Sequence, residues 1–249
     1  QQNRTKINDP LKYLDLTFSD PASDLACDEA LLELCESNDE TGLLRIWEPD
    51  NYFVVMGYSN KVASEVNVNA CEARGVPTFR RFSGGGTVLQ GPGCLNCSLA
   101  VNHQCLGIPA GLADSYRFVL ERHVKFCANQ VSEVVQIQGI SDLAVGGRKF
   151  SGNAQHRKRR CSLFHGTFLL GFDLRLIETC LPMPSKQPAY RGGRSHGAFL
   201  CNFSMTSADV RRALKQVWEA EEQLQDLPFD RIGTLKRERY SRDEWNFNF

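Results

Sequence analysis

The stretch Arg80–Cys97, RRFSGGGTVLQGPGCLNC, puts three contiguous glycines between two short β-prone runs. VPTFRRF (76–82) before them and CLNCSLAVN (94–102) after them read as strands bounded by turn residues. Contiguous glycines permit unusual dihedrals and let a ligand lie directly on the main chain. The spacing is not a dinucleotide fingerprint, whose separated glycines open a helix, and no Gly-Lys-Ser/Thr follows to make a P-loop. Arg80 and Arg81 alternate across the strand, so only one can face a given side. There a guanidinium can grip a carboxylate or phosphate bidentately. Ser83 adds a hydroxyl at the loop edge.

Working outward, SDPASDLACDEALLELCESND (19–39) predicts a helix capped by Ser19 or Asp20, with Pro21 in its first turn. GLLRIWEP and YFVVMGYS predict strands, and NACEARG a short helix stopped by Gly75. LADSYRFVLERHVKFCANQ is an amphipathic helix. SEVVQIQG, SDLAVGGRKFSGNAQ and CSLFHGTFLLGF follow as strands, with Gly146-Gly147 as the clearest turn. DLRLIETCL is a short helix, and TSADVRRALKQVWEAEEQL (206–224) a longer capped one. Runs of strands alternating irregularly with helices predict an α+β fold with a mixed, mainly antiparallel β-sheet flanked by helices, in a single domain over 1–249.

The 29 basic and 29 acidic residues balance, which points to neither a nucleic acid nor a membrane surface as partner. No apolar run is long enough to span a bilayer, and the polar start QQNRTKINDP is not a signal peptide. Ten scattered cysteines, several in regular apolar stretches, read as buried free thiols in a reducing cytoplasm. Cys94-Leu-Asn-Cys97 has no second pair or histidine at ligand spacing, so no metal site is expected.

Two further stretches carry chemistry. In DLAVGGRKFSGNAQ (142–155), Lys149 follows a tight turn and precedes Ser151, Gly152, Asn153 and Ala154, small residues that can surround an anionic group. In FHGTFLL (164–170), His165 reads as a pocket-lining histidine whose ring is hydrogen-bonded in the core. HRKRR (156–160) reads as a solvated basic loop.

Together, RRFSGGGTV, DLAVGGRKFSGNAQ and HGTFLLGFDLRLIETCLP resemble, in this order, the signature segments of the lipoate–protein ligase A family. GLLRIWEPDNYFVVMGYSN is similar to that family's opening strands. The resemblance covers most of the chain and implies the biotin/lipoate ligase catalytic-domain fold. It also implies activation of lipoate or octanoate as acyl-AMP with ATP and Mg2+, then transfer to a lysine of a lipoyl domain or H-protein-like acceptor. By the same resemblance Lys149 would be catalytic. Arg80, Arg81, Ser83, Gly84, Gly85, Gly86, Ser151, Gly152, Ala154 and His165 would bind substrate or nucleotide. The tail from about 230 to 249 is similar to the hinge leading to an accessory domain, which a separate chain could supply.

The chain departs from the pattern after the glycines. The ligases usually carry H-D-x-G-N there, and this chain has Gln90-Gly91-Pro92-Gly93-Cys94, which bears on its use of ATP. The first rival reading is an ATP-independent octanoyl or lipoyl transferase with a cysteine nucleophile. Its candidates are Cys180 and Cys94, because SEVVQIQGISDLAV upstream of Lys149 holds no cysteine. The second rival is a non-catalytic lipoyl-binding relative.

Overall fold

The computed structural model describes residues 10–37 and 42–248. The polar start through residue 9, the end of the first helical stretch at Asn38–Asp39, and Phe249 lie outside the described residues.

The strands are β1 (Lys12–Asp15), β2 (Gly42–Trp47), β3 (Phe53–Met56), β4 (Thr78–Arg80), β5 (Val88–Gln90), β6 (Cys94–Asn102), β7 (Val135–Gln138), β8 (Asp142–Val145), β9 (Arg148–Arg157), β10 (Cys161–Leu169) and β11 (Glu222–Gln223). Eight of them form one sheet in the order β11-β1-β2-β6-β10-β9-β8-β7. It is antiparallel from β2 to β7 and parallel where β1 meets β2 and β11. The expected mixed, mainly antiparallel sheet is therefore present. A second, three-stranded sheet, β4-β3-β5, was not foreseen; it carries the glycine loop between β4 and β5.

The central strand β6 shows why the large sheet has two different faces. All nine of its side chains are buried. Leu95, Cys97, Leu99 and Val101 point to one side and join the core under the Leu112–Ala128 and Ser207–Val217 helices. Successive strand residues alternate, so Cys94, Asn96, Ser98 and Ala100 point to the other side. That face is closed partly by the Pro21–Ser37 helix, which buries Leu25, Leu31, Leu32 and Cys35. Asp20 caps this helix, its Oδ1 accepting from the Ser23 N–H at 2.9 Å.

One predicted helix is shorter than expected. Ser207–Val217 ends where the Ala220 N–H reaches back to the Lys215 carbonyl and Glu219 adopts φ +51°. Glu-Ala-Glu-Glu-Gln (219–223) offers no apolar stripe to continue the helix, and Glu222–Gln223 instead pair with β1.

The Phe229–Leu235 helix and the π-helical turn Lys236–Tyr240 pack against the Pro21–Ser37 helix, with the Tyr240 hydroxyl donating to Glu29 Oε2 at 2.6 Å. Among the described residues, no helix is long and apolar enough to cross a membrane.

Candidate active site

The polar face of the large sheet is the floor of the site. Register aligns Trp47, Asn96, Thr167, Gly152 and Asp142 as one row across β2, β6, β10, β9 and β8. The adjacent row is Arg45, Ser98, His165 and Ala154. Above these rows opens a cavity of about 600 Å³, in the range of small-molecule sites. Its wall includes the glycine loop, β9, and the segment from Leu181 to Leu200.

The floor's polar groups are mutually satisfied. Gln90 Nε2 donates to Thr167 Oγ1 at 3.1 Å, Thr167 Oγ1 to Asn96 Oδ1 at 2.8 Å, and Asn96 Nδ2 to Gln90 Oε1 at 2.9 Å. This closed ring ties β5 to β6 and β10. Beside it, Arg45 is fully buried between Asp24 and Asp28, and Asp28 also accepts from Ser98 Oγ at 2.6 Å. A buried guanidinium is tolerated because both carboxylates meet it directly.

Lys149 stands on β9 with its ammonium 2.8 Å from Asp142 Oδ1. It remains a quarter exposed, so its charge faces the cavity. Asp142 also accepts from the Tyr190 hydroxyl at 2.8 Å. The Lys149 side chain lies over Gly152, next to the small residues Ser151, Asn153 and Ala154.

The two arginines face different ways, as their alternation requires. Arg81 lines the cavity. Its guanidinium donates to Gly84 O at 2.7 Å, Gly86 O at 2.8 Å and Ser83 Oγ at 3.1 Å, so it shapes the glycine loop from within. Burial pushes Arg81 down to about 10, which leaves it cationic at neutral pH. Arg80 lies outside the cavity wall, a correction to its expected substrate contact. It is buried, and donates to the carbonyls of Tyr58 at 2.9 Å, Asn60 at 2.7 Å and Trp245 at 3.2 Å. Trp245 Nε1 answers by donating to Arg80 O at 2.8 Å, and Asn246 Oδ1 accepts from the Arg80 N–H at 2.9 Å. Arg80 therefore braces the loop from behind.

Of the three glycines, only Gly85 is under steric demand. It sits at φ +95°, and a Cβ there would stand 2.8 Å from Arg81 Nη2. A Cβ at Gly84 or Gly86 would meet open space. Gly85 and Gly86 line the cavity, whereas Gly84 and Ser83 do not. Ser83 Oγ instead bonds His165 Nε2 at 2.6 Å while accepting from Arg81. The hydroxyl thus donates a hydrogen bond to His165 Nε2, and His165 lines the cavity. Burial, reinforced by the Arg81 charge, pushes His165 down to about 3, so the ring is neutral.

The two candidate thiols separate clearly. Cys94 lies in the cavity wall, and burial pushes it well above the ordinary thiol range. Cys180 is buried beside Cys71 in the core around the small sheet, not in the wall, which corrects its candidacy as a nucleophile. The Cys94 environment does not stabilise a thiolate.

The sequence reading missed the Gln90–Asn96–Thr167 ring, the Asp142 partner of Lys149 and the buried Asp28. The signal for the first was polar residues at every second position of CLNCS, inside an otherwise apolar strand. Arg191 and His196 are both buried and line the cavity.

Residues 20–222 match the family model of the lipoyl protein ligase A/B catalytic domain. The chain belongs to this family. A lipoate-protein ligase A of Aeropyrum pernix is 33% identical over 72% of this chain, which spans 64% of that relative's length. Octanoyltransferase LipM of Brevibacillus brevis is 24% identical over 94% of this chain and 98% of its own. In fold, the family likeness extends to a lipoate protein ligase of Thermoplasma acidophilum solved with bound lipoic acid. That structure has a TM-score of 0.77 at 21% identity and covers 96% of this chain and 99% of its own. A lipoate-protein ligase A solved with ATP gives 0.75 at 23% identity, over 96% and 98% of the two chains. The expected biotin/lipoate ligase catalytic-domain fold is the fold observed.

Proposed function

We propose that this chain is a lipoate–protein ligase-like enzyme, which activates lipoate or octanoate with ATP and passes the acyl group to a lysine of a lipoyl domain. The supporting observation is the Lys149 ammonium, held by Asp142 at the wall of a cavity of about 600 Å³ whose one lining thiol among the described residues, Cys94, is not activated. A cysteine route needs a thiolate; an adenylate route needs a fixed cation beside the reacting carbonyl and phosphate.

In the first half-reaction the acyl carboxylate attacks the α-phosphate, forming the acyl–oxygen–phosphorus bond as pyrophosphate leaves. In the second, an acceptor lysine amine attacks the carbonyl, loses a proton, and AMP departs. Lys149 would meet the negative charge that develops on the α-phosphate in the first step and on the carbonyl oxygen and departing phosphate in the second. The neutral His165 and the Gln90–Asn96–Thr167 ring would hold the floor against which the acyl group lies.

The residues present suit a magnesium-bearing nucleotide. Lys149, Lys186, Arg81 and Arg191 are cations of the wall, while its carboxylates are already engaged: Asp28 by Arg45, Glu65 by Ser185, Asp142 by Lys149 and Tyr190. Magnesium would thus be held chiefly by the nucleotide's own phosphates and water, and would neutralise phosphate charge. The acceptor reading draws support from a bi-partite lipoate protein ligase of Thermoplasma acidophilum described with its E2 lipoyl domain. A separate accessory chain for this protein is proposed on the same ground.

The test is lipoate-dependent exchange of labelled pyrophosphate into ATP. Exchange that falls by roughly 10²–10³ in Lys149→Ala supports adenylation. Absence of exchange, with octanoyl transfer from a carrier thioester instead, would replace this reading with the transferase one.

A further inference from the structure

We infer that Tyr190 is a positioning residue for the Lys149 ammonium, acting through Asp142. The inference rests on the reading of Lys149 as the cation that meets the acyl phosphate. The two contacts fall on different oxygens of one carboxylate: Tyr190 Oη donates to Asp142 Oδ2 at 2.8 Å, and Lys149 Nζ lies 2.8 Å from Oδ1. Tyr190 comes from neither β8 nor β9 but from the turn Ala189–Arg191, which crosses the cavity wall.

The tyrosine is held from several directions. Its ring packs 5.1 Å from that of Phe199. Arg194 donates to the Tyr190 carbonyl at 2.8 Å and to the Gly147 carbonyl at 3.0 Å, fastening this segment to the β8–β9 turn. The Cys201 N–H donates to the Lys149 carbonyl at 2.9 Å. Beneath the ring is Gly139 at φ +57°, where a Cβ would come within 3.9 Å of Tyr190. Burial, with the Asp142 charge, pushes the phenol up, so it stays a donor at neutral pH.

An ammonium has three N–H donors, and a carboxylate with both oxygens free can engage more than one of them. With Tyr190 on Oδ2, Lys149 meets a single oxygen and keeps its remaining donors for an anion in the cavity. Removing the hydroxyl frees Oδ2 to compete for the ammonium.

Tyr190→Phe keeps the ring and its packing on Phe199. We expect it to lower kcat for lipoate activation about tenfold with KM changed less than about twofold, and to change kcat less than about twofold when Asp142 is already Asn. A second readout needs no turnover: the 15N signal of the Lys149 ammonium should shift in Tyr190→Phe and collapse in Asp142→Asn. If the unaltered protein fails to activate lipoate but the signal shifts, the positioning stands and the proposed activity falls. An unchanged signal overturns the inference. So does an effect confined to KM, or a full Tyr190→Phe loss that persists in Asp142→Asn.

Discussion

Lys149 occupies the space that Gly152 leaves vacant: a Cβ at residue 152 would stand 2.6 Å from Nζ and 2.7 Å from Cε. The obstructed atoms are the end of a flexible side chain, so a methyl group there moves the lysine, not the strand. On the proposed role of Lys149, Gly152→Ala should therefore melt close to the parent while losing activity on the order of 10²-fold, the effect of displacing such a group by about an ångström. Thermal melts alongside single-turnover rates separate the two effects.

The glycine loop should respond unevenly to the same substitution. Gly85→Ala forces a left-handed alanine against Arg81 and should cost about 1–3 kcal/mol. Gly84→Ala meets no neighbour and should stay within about 0.5 kcal/mol of the parent. Chemical denaturation of the two variants gives the comparison directly.

Acid should destabilise the fold through its buried imidazoles. An unfolded histidine binds a proton near pH 6.5. In the fold, burial holds both His165 and His123 down to about 3. Between those values the unfolded chain binds more protons, so this contribution is complete above about pH 6.5 and is lost as pH falls toward 3. Replacing His165 by Asn should flatten the decline of Tm over that window, with the slope as the readout.

Thiol chemistry tests the cysteine route. Nine of the ten cysteines are buried and Cys105 is partly exposed. A thiol reagent should label Cys105 fast and the others only on unfolding. Cys94→Ala should cost less than about tenfold in acyl transfer; an essential nucleophile would cost orders of magnitude more.

The longer strands and helices were legible because each has a strong local pattern, whereas β1, β5, β11 and the Phe229–Leu235 helix were not read. Lys149, Arg81 and His165 were singled out because their segments resemble a family signature, and all three line the cavity. What escaped has a common cause. Asp142 and Tyr190 are 48 residues apart, and Gln90 and Thr167 are 77 apart. Such pairs meet only through sheet register and loop docking, which no local window contains. Arg80 and Arg81 could not be told apart for a related reason. Their alternation was clear, but which side held the cavity depended on Trp245 and Asn246 reaching the other side. The second sheet was hidden because β5, with three residues, was not read as a strand, and the pairing of β3 with β4 and β5 is not local.

The brace behind the loop also sets an order of assembly. Arg80 and Trp245 are separated by 165 positions, and closing so long a loop is entropically costly and slow. During synthesis the glycine loop emerges well before the tryptophan that steadies it. A nascent chain can therefore build its strands early yet cannot have a finished ligand loop. The rear of the cavity wall is complete only once the turn that bears Trp245 has docked, so a chain truncated before it lacks the brace of its glycine loop.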